Sequence, residues 1–244
     1  TAATSTSQEI TYDGAGDGER FVTPVTFDAL FDAVESNPEH RFVCGATDLG
    51  LEVTKQHRRF PCLISVDGLP DLRQMTALKG PDLGWSIGAA VRLSDLEAFS
   101  QDRLPVMARM LRFFGSRQIK NRGTLGGNIC NASPIGDTPP VLLAVGATLV
   151  TRSRAGERRI PIDDFFLGYR QTALLPGEIL ARVELPALPP GARAAAYKVS
   201  KRRELDISAV CAAMVVQADD SDTIVHARVA FGGMAATPKR ATSV

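Results

Sequence analysis

Helical and strand-like patterns are mixed along the chain up to Gly177, and from Glu178 onward only β-type runs follow. That switch makes the chain α+β, with a mixed domain followed by part of a smaller β-rich one. The junction is the breaker Ala187-Leu188-Pro189-Pro190-Gly191. The reading is therefore a linker or tail over residues 1–20, a mixed domain over 21–190, and the start of a second domain over 191–244. The chain stops soon after a Gly-Gly without closing an element, which reads as a C-terminal truncation.

Within the mixed domain, Phe27, Leu30, Phe31 and Val34 fall at helical spacing, with Thr26 as N-cap. Strands are predicted over 41–44, 63–66 and 85–89. A helix toward Gln56 would be capped by Thr47 or Asp48. Ser94-Asp95-Leu96-Glu97 reads as a capping box, and Pro105 opens a helix toward Phe114. Residues 147–151 and 158–161 suggest a hairpin around Arg154-Ala155-Gly156. Further strands are predicted over 179–185, 196–199, 209–216 and 224–231.

The 244 residues carry 28 basic and 27 acidic side chains, a net charge of +1. A balance so near zero argues against a dedicated nucleic-acid binder. The longest apolar run, residues 141–150, is half the ~20 residues that cross a bilayer and contains Gly146. The expectation is a cytoplasmic protein with no membrane partner. Cys44, Cys62, Cys130 and Cys211 are dispersed and form no C-x-x-C pair. Neither an iron–sulfur cluster nor a zinc site is expected in this chain, and no metal ligands are assigned. His40, His57 and His226 form no H-E-x-x-H.

Two glycine-containing turns are the candidates for chemistry. Gly45-Ala46-Thr47-Asp48-Leu49-Gly50 lies between a predicted strand and a predicted helix. Amides at a helix start lack partners and suit a phosphate; a plain strand–helix turn would look the same. Gly123-Thr124-Leu125-Gly126-Gly127-Asn128 is followed by Ala132-Ser133-Pro134-Ile135-Gly136-Asp137. This stretch is either a ligand loop or a long connection. Gly14-Ala15-Gly16-Asp17-Gly18 is not read as a nucleotide loop, because no apolar strand precedes it.

Taken together, these turns resemble the flavin-binding segments of the FAD domain of molybdenum hydroxylases. The matching stretches begin with Phe42-Val43-Cys44-Gly45-Ala46-Thr47-Asp48-Leu49-Gly50. They continue with Gly123-Thr124-Leu125-Gly126-Gly127-Asn128-Ile129 and Asn131-Ala132-Ser133-Pro134-Ile135-Gly136-Asp137. Phe113-Phe114-Gly115-Ser116-Arg117-Gln118-Ile119-Lys120, Gly168-Tyr169-Arg170, Lys201-Arg202-Arg203-Glu204 and Phe231-Gly232-Gly233-Met234-Ala235 extend the likeness. It runs from about Phe21 to the end, and within the family it is most similar to the xanthine dehydrogenases. The chain departs from the family pattern at Thr138-Pro139-Pro140 and at Leu205.

The resemblance implies a bipartite FAD-binding domain of the vanillyl-alcohol-oxidase type, followed by part of a β-rich flavoprotein C-terminal domain. It implies that Phe42, Val43, Cys44, Gly45, Ala46, Thr47, Asp48 and Leu49 wrap the FAD pyrophosphate. Thr124, Leu125, Gly126, Gly127 and Asn128 would form the second wall, and Asp137 would bond an FAD hydroxyl. Phe114 would lie against the isoalloxazine, with Leu180 and Lys198 lining the flavin site. No residue of this chain is assigned as catalytic. The implied activity is that of a FAD-dependent oxidoreductase component, the electron-exit module of a xanthine dehydrogenase with NAD+ as acceptor. Implied partners are upstream 2Fe-2S domains and a molybdenum-cofactor-binding large subunit, in a heterotetramer. The alternatives are the flavoprotein of an aldehyde or carbon monoxide dehydrogenase, or a cofactor-free interaction module of the same fold.

Overall fold

The computed structural model describes the backbone of residues 10–13 and residues 18–79, 84–203 and 205–243. Its first unit is a four-stranded sheet of β1 (Ile10–Asp13), β2 (Arg20–Thr23), β3 (His40–Val43) and β4 (Cys62–Ser65), in the order β1-β2-β4-β3. β2 and β3 both run parallel to β4. Parallel neighbours need crossovers, and α1 (Phe27–Ser36) and α2 (Leu49–Gln56) supply them. α1 starts where its spacing predicts, with Thr26 Oγ1 accepting the Ala29 amide at 3.2 Å. It buries Leu30 and Phe31.

β1 lies inside the stretch read as a tail and pairs antiparallel with β2, from Ile10↔Thr23 to Asp13↔Arg20. A short edge strand needs only ladder hydrogen bonds and a few β-favouring residues, which Ile10-Thr11-Tyr12 supplies. The glycine-rich residues 14–17 lie outside the described residues.

The second unit is an antiparallel sheet. Its strands are β5 (Met75–Ala77), β6 (Gly84–Gly88), β7 (Thr148–Ser153), β8 (Gly156–Pro161) and β11 (Ile179–Pro186), in the order β5-β6-β11-β7-β8. A ribbon of β9 (Phe166–Gly168) and β10 (Gln171–Thr172) is inserted before β11. The helices of this unit are α3 (Leu93–Arg103), α4 (Pro105–Arg112), α5 (Arg117–Lys120), α6 (Leu125–Cys130) and α7 (Thr138–Val145). Every residue of α7 is buried, which explains its apolar composition on all sides.

The capping box does not form. Arg92 occupies the N-cap of α3, so Ser94 already lies inside the helix. The Leu93 amide donates to the Gly123 carbonyl at 2.9 Å. Glu97 instead accepts the buried Lys120 ammonium at 2.5 Å, and Lys120 also donates to the Leu111 carbonyl at 3.0 Å. Tertiary partners displace the local cap.

The third unit is a meander of β12 (Arg193–Val199), β13 (Val210–Ala218), β14 (Ile224–Gly232) and β15 (Lys239–Ala241). Ala196, Ala213 and Ala230 stand in register across its centre and are buried. These small side chains let α7 pack closely on β13 and β14. Asp137 sits at the N-cap of α7 but makes no side-chain cap. Its carboxylate accepts Lys198 Nζ at 2.7 Å and the Ser208 hydroxyl. Lys198 also donates to the Phe113 carbonyl at 3.2 Å. One buried ion pair thus ties β12 to α7 and to the segment after α4. Among the described residues, no helix is long and apolar enough to cross a membrane, and no group of three or more His, Cys, Asp or Glu could hold a metal.

Removing one member of a buried pair strands the other charge, at about 3–5 kcal/mol. Lys198→Met should therefore cost about that much in chemical denaturation, and adding Asp137→Asn should recover part of the loss. A Lys198→Met protein within about 1 kcal/mol of wild type would contradict the role given to this pair.

Candidate functional site

The two glycine turns come together backbone to backbone. Gly45, two residues past the end of β3, has φ +67°, and a side chain there would overlap the carbonyl oxygen of Arg122. Ala46 is also in the left-handed region at φ +60°, and its amide closes a tight turn on the Cys44 carbonyl at 2.8 Å. A Cβ on Gly123 would stand 3.3 Å from Thr47 Oγ1. Asp67, which the sequence did not single out, buttresses the first turn. Its carboxylate accepts the Gly45 amide and the Cys44 thiol, each at 3.4 Å.

The second turn is shaped by α6. Thr124 caps that helix, its Oγ1 accepting the Gly127 amide at 3.1 Å. The Gly126 amide donates to the Ala89 carbonyl at 2.8 Å, and a Cβ on Gly126 would lie 2.6 Å from Ala89 Cβ. Asn128 Oδ1 accepts the Thr138 hydroxyl at 2.5 Å, which links this wall to α7.

Between the turns lies an open cleft of about 620 Å3. Of the sequence-predicted residues, it is lined by Phe42, Val43, Cys44, Ala46, Thr47, Asp48, Leu49, Phe114, Thr124, Gly126, Gly127, Asn128 and Leu180. Gly45 stands behind the wall and supports it. Leu125 does not line the cleft, because its place in the first turn of α6 turns its side chain into the core, where it is fully buried. Asp137 and Lys198 are buried against each other rather than along the cleft. Lys201, Arg202 and Arg203 are exposed and away from it, and Glu204 lies outside the described residues.

Sequence reasoning missed Arg41, Glu52, Ala89, Cys130 and Glu178, which also line the cleft. Arg170 belongs there as well and approaches Asp48 Oδ2 at 3.9 Å across it. Helical spacing carries a signal for Glu52, which follows Asp48 by one turn of α2. Arg41 and Cys130 extend β3 and α6 beyond the residues singled out, Arg170 lies in the Gly168-Tyr169-Arg170 stretch of the resemblance, and Ala89 and Glu178 arrive from separate elements and leave no local pattern.

The side chains favour binding over covalent chemistry. Burial, and then the Asp67 carboxylate, pushes the Cys44 thiol up to about 12. Burial, and then the neighbouring Cys44, does the same to Cys130, also to about 12. Both thiols stay protonated at neutral pH and are poor nucleophiles and poor metal ligands. Burial works against ionisation of Glu178, but Arg158, the Leu175 amide and the Thr151 hydroxyl outweigh it and hold its carboxyl below the ordinary value. The apolar end of the cleft is formed by Phe114, Ile119, Leu174 and Leu180. Asp48 gives α2 no side-chain cap, and the Gly50 and Leu51 amides bond the Ala46 and Asp48 carbonyls, so the amides placed to meet a ligand are those of Thr47, Asp48 and Leu49. A flat apolar group joined to an anionic centre fits this arrangement, and FAD is such a molecule.

Comparison with known proteins agrees. Residues 16–188 match the family described as the FAD binding domain in molybdopterin dehydrogenase. Residues 195–244 match the CO dehydrogenase flavoprotein C-terminal domain. A xanthine dehydrogenase of Emericella nidulans is 34% identical over 229 residues, covering 89% of this chain and 17% of that protein. A nicotinate hydroxylase of the same organism is 36% identical over 249 residues, covering 91% of this chain and 18% of that protein. The chain thus spans less than a fifth of these relatives. Among solved structures, a carbon monoxide dehydrogenase from Hydrogenophaga pseudoflava superposes with a TM-score of 0.85 at 27% identity. That match covers 91% of this chain and 77% of the other.

The buried thiol gives a direct check on the site's electrostatics. At about pH 8, Cys44 should react with iodoacetamide about a thousandfold more slowly than an exposed cysteine, in proportion to its thiolate fraction. Mass spectrometry of the alkylated peptides reads the rate. Labelling of Cys44 as fast as a free thiol would overturn the buried, acid-flanked environment assigned to it.

Proposed function

The chain belongs to the family of FAD-binding domains of molybdopterin dehydrogenases, and on that footing we propose that it holds FAD in the cleft as the electron-exit module of a xanthine dehydrogenase. The observation that carries this is the meeting of the two glycine turns beside an apolar end. The amides of Thr47 and Asp48 would hold the pyrophosphate, and Thr124, Gly126, Gly127 and Asn128 would close the opposite wall. Phe114 and Leu180 shield one end for the isoalloxazine, a flat ring that uses the same apolar surface as a core contact. Lys198, through the Phe113 carbonyl, holds the segment that presents Phe114.

Bound FAD supplies the exchange between single-electron carriers and a two-electron acceptor. The residues of this chain bind it, orient it and keep water from its ring. The acceptor we propose is NAD+. The oxidised purine, xanthine or hypoxanthine yielding urate, belongs to a molybdenum-cofactor subunit, and the electrons come from 2Fe-2S domains of the same cytoplasmic heterotetramer. The similarity to xanthine dehydrogenases favours this assignment. The similarity to a nicotinate hydroxylase favours a second reading, in which the same module serves another molybdenum hydroxylase.

NADH added without oxygen to the FAD-loaded chain tests the acceptor by the reverse reaction. The expected result is bleaching of the visible flavin band at one NADH per flavin. Bleaching by dithionite but not by NADH would remove NAD+ from the proposal.

A further inference from the structure

A cleft that holds a dinucleotide must accommodate two unlike ends, and the apolar end accounts for only one. Charged groups on the wall include Arg170 and Glu178 from the second unit, and a further pair comes from the elements that flank the Gly45 turn. Arg41 precedes it on β3 and Glu52 follows it on α2, and both line the cleft. Glu52 is a carboxylate only 8% exposed, a placement that is costly without partners. It has two. Arg41 Nη2 donates to Oε1 at 3.3 Å, and Arg58 Nη1 donates to Oε2. Arg58 is itself braced over the Phe60 ring at 5.3 Å. The result is a fixed guanidinium, half exposed, on the wall opposite in character to the Phe114 end.

We propose that Arg41, positioned by Glu52, binds the adenylate half of the cofactor and makes the chain select FAD over FMN. A planar guanidinium stacks on a purine and donates to phosphate or ribose oxygens, which suits it to that half of the molecule. FMN ends at its single phosphate and lacks the adenylate that this cluster would engage. Glu52 is a positioning residue: it neutralises one guanidinium edge and leaves the other for the ligand. The inference rests on the assignment of the cleft to FAD.

Flavin fluorescence titrations of the flavin-free chain with FAD and with FMN test it. Wild type should bind FAD more tightly than FMN. Arg41→Met should reduce that selectivity by about tenfold, about 1.4 kcal/mol. Glu52→Gln should reduce it by a smaller factor in the same direction, and it serves as the deciding variant should Arg41→Met not fold. Loss of a merely structural contact would weaken both flavins together and leave the ratio unchanged. An unchanged ratio in a folded variant overturns the role of Arg41. Wild-type protein that is folded yet binds neither flavin overturns the cofactor assignment beneath it.

Discussion

The carbonyl of Arg122 occupies the space where a side chain of residue 45 would stand, and the shape of the cleft depends on that contact. It brings the turn after β3 against the turn before α6, so that two units unrelated in sheet order share one concave wall. Each turn is fixed from behind. Asp67 holds the Gly45 amide and the Cys44 thiol. The Leu93 and Gly126 amides bond the Gly123 and Ala89 carbonyls. Close backbone approach of this kind leaves no room for a Cβ, and it sets the cleft's dimensions without relying on side-chain packing.

Buried polar groups then lock the units together. Asp137 and Lys198 join the meander to α7, and Lys120 and Glu97 join α5 to α3. Glu178, between Arg158 and Thr151, closes the sheet edge beside the cleft. Such pairs stabilise less than their geometry suggests, because each charge gives up its hydration. Their larger effect is on placement. Lys198 reaches the Phe113 carbonyl and so fixes the neighbour of Phe114, the aromatic ring at the apolar end of the cleft.

Much of this was legible in the sequence where a signal is local. The spacing of Phe27, Leu30 and Phe31 predicts α1, and Thr26 its cap. The turn at Arg154-Ala155-Gly156 predicts the β7–β8 hairpin, and the long β-type runs predict the three main strands of the meander. The glycine turns and their resemblance to flavin-binding segments placed most of the cleft wall. What was not legible involves competition with distant partners. Glu97 satisfies Lys120 rather than an α3 amide, and Asp137 pairs with Lys198 rather than capping α7. Leu125 follows the rotation of a short helix into the core. Arg41 and Glu52 meet only because β3 and α2 fold back on each other.

The most direct measurement is the FAD content per folded chain of the wild-type protein beside Gly45→Ala, from visible absorbance and mass identification of the released chromophore. The account predicts one FAD per wild-type chain and little or none in a folded Gly45→Ala protein, because the added methyl forces the two turns apart. Equal FAD content in both proteins, or a folded wild-type chain that takes up no FAD, would contradict it.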